Sequence, residues 1–301
     1  MSHIFAGFGE QEADAAQGPG PPPTLVDLGF GEVAVTTVEM ARLLWRRHPR
    51  LRVVGIESDR ARADGAARAW QAQGPADLRV LAPTLSTRRG RWGCEVRGTM
   101  EFRHGGFLMP LGAEERRGLM AVRAMNVLRQ YDALEEVSKA HRSLVAQLAD
   151  GGVLLEGSSD PIGDVVVAHL LRKAPGGSPK AAPAQEAMFF ALNLRRQARQ
   201  GGLSLDLVGD NLPQLLYARK EPAFEEFFAL WQAAVEETRS CSRADRGRES
   251  GNATDGSAAY SARAHFLSAG RRLAAALPPR LGGASTPKRW LRRGWLMWMR
   301  P

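Results

Sequence analysis

Two hydrophobic periods alternate along most of this chain. The run "TLVDL", Thr24 to Leu28, is short and apolar, as a buried strand is, and a turn on two glycines follows it. In "TTVEMARLLWRRH" the apolar positions fall at helical spacing, with Val38, Ala41 and Leu44 or Trp45 on one face. Thr36 with Glu39 three residues on has the form of a capping box, which predicts a helix starting near Thr37. "LRVVGIE" predicts a second strand and "SDRARADGAARAWQAQG" a polar, Ala-rich helix. Strands are expected again at "EFRHGGF" and at "LMAVRAMNVL", the latter running into a loop. In the stretch from Tyr131 to Gly152, Leu134, Val137, Ala140, Leu144 and Leu148 keep helical spacing. Asp132 with Glu135 makes a second capping pair there, and Gly151 is a plausible stop.

"GGVLLEG" predicts a fifth strand, "DVVVAHLLRK" fits either a helix or a strand, and "AMFFALNLR" fits a sixth strand. "PAFEEFFALWQAAVEETR" is a helix by its period, and "GWLMWMR" alternates as an edge strand would. Strand and helix patterns in turn are the mark of an α/β sheet. Residues 1–23, ending in "QGPGPPP", read as a disordered leader to one domain over 24–301. Flexible insertions are expected at 82–100 (a basic loop or hairpin), at 174–185 (Pro, Gly and Ala) and at 239–262 (Ser, Arg, Asp and Gly).

Composition narrows the class. The 301 residues are 44% hydrophobic, enough for one large domain or two small ones. No run of about 18 apolar residues exists to span a membrane. Residues 1–23 carry Glu10, Glu12 and Asp14 without Lys or Arg, so they lack the basic start of a signal peptide. Cys94 and Cys241 stand far apart, which excludes a disulfide framework and gives no zinc signature. No two histidines stand at metal-ligand spacing, so no metal is expected. These features together predict a cytoplasmic protein. The net charge is +9, and seven Arg and one Lys between Arg271 and Pro301, with no acid, supply nearly all of it. In "TPKRWLRRGWLMWMR" the cations interleave with Trp290, Trp295 and Trp298. That pattern suits either a nucleic-acid contact or an edge strand whose tryptophans pack while the arginines stay wet.

Gly29-Phe30-Gly31-Glu32-Val33-Ala34 fits the dinucleotide fingerprint, with Glu57 at the end of the second strand placed for ribose hydroxyls. The first glycine permits the tight turn and the second lets a ligand approach the backbone. Asp27, two residues before Gly29, argues against a pyrophosphate, since a carboxylate at 4–6 Å would oppose it by several kcal/mol. S-adenosylmethionine carries an ammonium and a sulfonium and no phosphate, and a carboxylate suits it. Asp27 also fits a purely local role, accepting bonds from nearby N–H groups.

The segments "VDLGFG", "VVGIESD", "RAMNVLRQYD" and "LADGGVLLEGSSDPIG" resemble a class I S-adenosylmethionine-dependent methyltransferase, with the third and the "GGVLLEG" part similar to an uncharacterised actinobacterial methyltransferase-like group. The resemblance covers Thr24 to Gly163 without 82–100, with a weaker echo in "GWLMWMR". It implies a Rossmann-like, doubly wound, mostly parallel seven-stranded sheet with helices on both faces and S-adenosylmethionine over the strand ends. By motif position Asp27, Gly29 and Gly31 would line the methionine end and Glu57 would hold the ribose. Asn126 and Arg123 would lie in the loop after strand four, beside the methyl group. Two positions depart from the family pattern. Val33 replaces its last glycine, and Gly106 stands where many members carry an acid for the adenine amino group. Phe107, next in line, serves as either an adenine-stacking ring or a core residue.

Methyl transfer needs in-line placement and sometimes a base, so no nucleophile is required. Arg123, Tyr131, Glu156 and Asp160 are the substrate-lining candidates, at the carboxyl edge of the sheet where α/β sites are built. Glu156 suits a base or a salt bridge to Arg123 or Arg129, and Tyr131 also suits a staple for the helix start. Cys94 and Cys241 give little reason for covalent catalysis. The methyl acceptor, a small molecule or a macromolecule, is left open. Two other readings stand beside this one: an NAD(P)-dependent oxidoreductase, and a methyltransferase-like binding module without catalysis that contacts RNA through the basic tail.

Overall fold

A computed structural model describes residues 20–73, 98–131, 133–160, 163–174, 176, 184–199, 222–246, 255–284, 286 and 288–299. Cys94, Asp132, most of the 82–100 and 174–185 segments and residues 1–19 lie outside these. The strands pair into one eight-stranded sheet of order β3-β2-β1-β4-β5-β6-β7-β8. Contacts divide the chain into two units, and the division falls within β5.

The first unit holds β1 (Thr24–Leu28), β2 (Arg52–Glu57), β3 (Thr99–His104) and β4 (Leu119–Met125). β1 pairs in parallel with β2 and with β4, and β2 in parallel with β3. Every residue of β1 is buried, as a strand covered on both faces requires, and this explains its mostly apolar run, with Asp27 the buried exception. Helix α1 (Val35–Trp45) buries Val38, Ala41, Leu44 and Trp45, the expected face, and also Thr37 and Met40. The expected start near Thr37 is corrected: the helix begins at Val35, Ala34 is the N-cap, and no side chain caps it. Thr36 is exposed within the first turn, and Thr37 serves a distant carboxylate instead.

Helix α2 (Arg60–Gln73) follows β2, and the five-residue α3 (Ala113–Arg117) precedes β4. Beside α3, Glu115 accepts both guanidinium branches of Arg103 at 2.8 Å and the Gly112 N–H at 2.7 Å. Arg52 stands 3.4 Å from the same carboxylate. The Arg103 bonds hold Glu115 below the usual carboxylate range. In helix α4 (Leu134–Gln147), Val137, Ala140 and Leu144 are buried, while Leu134 stays exposed.

β5 (Val153–Ser159) turns directly into β6 (Val165–Arg172). Bonds from Asp160 N to Val165 O and from Lys173 N to Gly152 O make this an antiparallel hairpin. β6 is the strand that corrects the expected count from seven to eight. "VVVAHLLR" satisfies both periods, and its β-branched start suits the pleated surface. β7 (Ala184–Leu192) pairs antiparallel with β8 (Trp295–Met299), the expected edge strand.

In the second unit, helices α6 (Pro222–Arg246) and α7 (Asp255–Ala276) follow the short α5 (Leu194–Arg199). Both extend into the 239–262 span read as flexible, and only 247–254 lie outside the described residues. Phe227 stacks between Phe190, at 5.8 Å, and Trp298, at 4.3 Å, and Trp231 meets Phe266 at 5.2 Å. All five rings are essentially inaccessible, and burial of each contributes about 1.5–3 kcal/mol. No helix among the described residues is long and apolar enough to cross a membrane.

Candidate active site

The glycine turn follows β1. Gly29 and Gly31 have φ of 70° and 81°, values that disfavour any side chain, so both glycines are required by conformation. Space beside Gly31 is open in the direction a Cβ would take. Val33 is exposed and outside the left-handed region, so the missing third glycine costs the turn nothing in backbone strain.

Asp27 is fully buried at the next-to-last position of β1. Parallel register sets it opposite Arg123 of β4. The Arg123 guanidinium donates to one carboxylate oxygen at 2.6 Å, and the Thr37 hydroxyl of α1 donates to the other at 2.5 Å. Asp27 is thus matched by a cation inside the protein. Arg123 is thereby a partner of Asp27 in the first place. Thr37 is the residue the sequence reading missed, and its signal was a polar side chain within the buried stripe of α1.

Glu57 ends β2 and is also buried, 6% exposed. Its Oε1 accepts the Ser58 N–H at 2.8 Å, the Ser58 hydroxyl at 3.1 Å and the Asp59 N–H at 3.2 Å. Its Oε2 accepts the Gly31 N–H at 2.9 Å. Every one of these donors is neutral. The buried negative charge beside the glycine turn is therefore that of Glu57. The Gly29 N–H is also used internally, donating to Ile56 O at 2.7 Å.

Past the end of β3, which pairs with β2, the Gly105 N–H donates to the Glu57 carbonyl at 2.9 Å. Phe107, two residues on, is half-buried, and its carbonyl accepts the Gln147 side-chain amide at 2.6 Å. The same Gln147 accepts the Met109 N–H at 3.0 Å, so this loop is pinned on both sides of Leu108.

The second unit brings together a separate group. Asn126, just past β4, has φ of 63°, alone among the described non-glycine residues in being left-handed. Its N–H donates to Gly157 O at 2.7 Å. Its side chain accepts the Ser159 N–H at 2.8 Å and the Ser158 hydroxyl at 3.2 Å, and donates to the Ser159 hydroxyl at 3.0 Å. These bonds hold a conformation that otherwise costs about 1–3 kcal/mol. Ser158 and Ser159 were absent from the expected set, although "GSSD" directly follows the fifth strand. Glu156 is fully buried in β5, and Tyr131 is half-buried after a 3-10 turn at Leu128–Gln130. Asp160 shapes the β5–β6 turn by accepting the Val165 N–H at 3.1 Å. Among the described residues no cluster of three or more His, Cys, Asp or Glu is placed to hold a metal ion.

No family model matches the chain, and no curated protein matches it. Solved structures do. The chain is similar to a methyltransferase domain of the citrinin polyketide synthase at 18% identity, covering 46% of this chain and 30% of that one, with a TM-score of 0.32. It is similar to a protein-L-isoaspartate O-methyltransferase from Plasmodium falciparum in complex with S-adenosyl-L-homocysteine. There identity is 16%, coverage 55% and 62%, and the TM-score 0.29. It is also similar to CalS10, an amino pentose methyltransferase of Micromonospora echinaspora, at 17% identity, 56% and 59% coverage and a TM-score of 0.27. The chain spans less than two thirds of each of these proteins.

Proposed function

We propose that the protein is an S-adenosylmethionine-dependent methyltransferase whose cofactor rests on the glycine turn and on Glu57. The observation that carries this reading is the buried Glu57 carboxylate, bound among the described residues by neutral donors only, its Oε2 2.9 Å from the Gly31 nitrogen. Oε2 carries one donor among the described residues, which leaves a lone pair for a ribose hydroxyl. The open space beside Gly31 admits a ligand against the backbone. The Gly29 and Gly31 N–H groups that would hold a pyrophosphate are already engaged within the fold. The motif resemblance points the same way.

When bound, S-adenosylmethionine supplies a methyl group on a sulfonium, which passes to the acceptor's lone pair as the S–C bond breaks. The work of this chain is placement. Glu57 orients the ribose and favours a cation, and the Asp27–Arg123–Thr37 group fixes the end of β1 under the turn. Phe107 beside the adenine and Arg123 as a further contact belong to this proposal.

The uncapped N-terminus of α1 is the feature that suits a phosphate, and with it NAD(P). Thermal unfolding decides between the two. S-adenosylhomocysteine at about 100 times its Kd stabilises by about 2.7 kcal/mol and raises the midpoint by several degrees. Stabilisation by NADH and not by S-adenosylhomocysteine overturns the proposal.

A further inference from the structure

A different surface, in the second unit, carries the chain's surplus charge. Helix α8 (Lys288–Leu291) and the turn after it expose Lys288, Arg289, Arg292 and Arg293, while Trp290 and Leu291 face inward, each 4% exposed. Leu291 packs on Gly270 of α7, where a Cβ would come within 2.5 Å of it, so the cations ride on a fixed support. Elsewhere in this stretch Arg272 pairs with Glu237, and Arg280 with Glu226. Among the described residues Lys288, Arg292 and Arg293 form no ion pair, and no acid occurs between Arg271 and Pro301.

Beside this cluster β8 alternates. Leu296 and Trp298 enter the core, and Trp295, Met297 and Met299 stay half-exposed on the other face. Trp295 is held edge-on by Phe189, at 5.9 Å, and by Trp290, at 6.1 Å. The Arg293 guanidinium lies 5.8 Å from the Trp295 ring centre. A half-exposed ring fixed next to several cations is what unstacked bases and their phosphates require.

We propose that this face, Lys288, Arg289, Arg292 and Arg293 with the Trp295 ring, binds single-stranded RNA. An anionic membrane suits it less, because Trp290 and Leu291 point into the protein and the half-exposed Trp295 is held by Phe189 and Trp290, so little free apolar surface is left to insert. A duplex suits it less, because its bases are already stacked. The inference does not rest on methyl transfer.

Fluorescence anisotropy with a labelled oligouridylate tests it on the full chain. The wild type binds, with log K falling against log salt by about 0.7 for each phosphate contacted. Arg292→Glu combined with Arg293→Glu retains the wild-type circular dichroism and melting midpoint. It lowers affinity about tenfold or more and makes the salt slope shallower by about 1.4. The proposal is overturned by absence of RNA binding in the wild type, or by undiminished binding in the double variant. Equal affinity for a duplex, or binding to phosphatidylglycerol vesicles without binding to RNA, overturns it as well.

Discussion

Two adjacent parallel strands, β1 and β2, each carry a buried carboxylate at their carboxyl ends, and the two are satisfied in opposite ways. Asp27 meets a guanidinium and a hydroxyl, and its charge is cancelled within the fold. Among the described residues Glu57 meets four N–H and O–H donors and no cation, so its charge is left facing the glycine turn. Residue type and burial are nearly the same. The partner decides which carboxylate is neutralised within the fold and which is met by neutral donors. A buried acid paired with Arg reads as architecture, and one held by backbone donors keeps an electrostatic preference for whatever binds beside it.

Substitutions can break this contrast. Arg123→Ala should have the largest effect, because it strands Asp27 as an uncompensated buried charge. Urea unfolding should show a loss of about 3–5 kcal/mol, partly restored when Asp27→Asn is added. Glu115 sharpens the contrast as a second Arg-bound carboxylate with no ligand role. Its pKa is held down in the folded state, chiefly by the Arg103 bonds. The stability this confers is therefore complete above the unfolded value near 4.5 and is lost as pH falls through the lower folded value. Glu115→Gln should lower stability at neutral pH by about 2 kcal/mol and flatten the acid limb of the stability–pH curve. Thr37→Val removes only a neutral donor from Asp27 and should cost about 1–2 kcal/mol in the same assay. Gly31→Ala changes the Glu57 side least. The positive φ costs about 1 kcal/mol, while the added methyl enters the open space and weakens cofactor binding in calorimetry.

Much of the framework was visible in the residues themselves. β1, β2 and α1 declare themselves through burial, which favours a mostly apolar run in a central parallel strand and a stripe in a helix. The place of Glu57 at the end of β2 was legible because a strand-end acid needs no long-range partner to be placed. What was not legible depends on pairing. The Asp27–Arg123 contact spans 96 residues and follows from the β1–β4 register. Thr36 looked like a cap because capping is judged locally, while Thr37 was committed to Asp27 across the loop. "VVVAHLLR" became a strand through its hairpin with β5, which its own period did not specify. The left-handed Asn126 depends on serines 32 and 33 residues away.

The account turns on Glu57, and isothermal titration of wild type and Glu57→Gln with S-adenosylhomocysteine tests it most directly. Glutamine retains the shape and one accepting oxygen but removes the charge. The account predicts a measurable wild-type Kd that weakens about 10- to 150-fold in the variant, the 1.5–3 kcal/mol of hydrogen bonds to a charged group, with the fold intact by circular dichroism. Equal affinity in the two proteins, or no binding by the wild type, would contradict it.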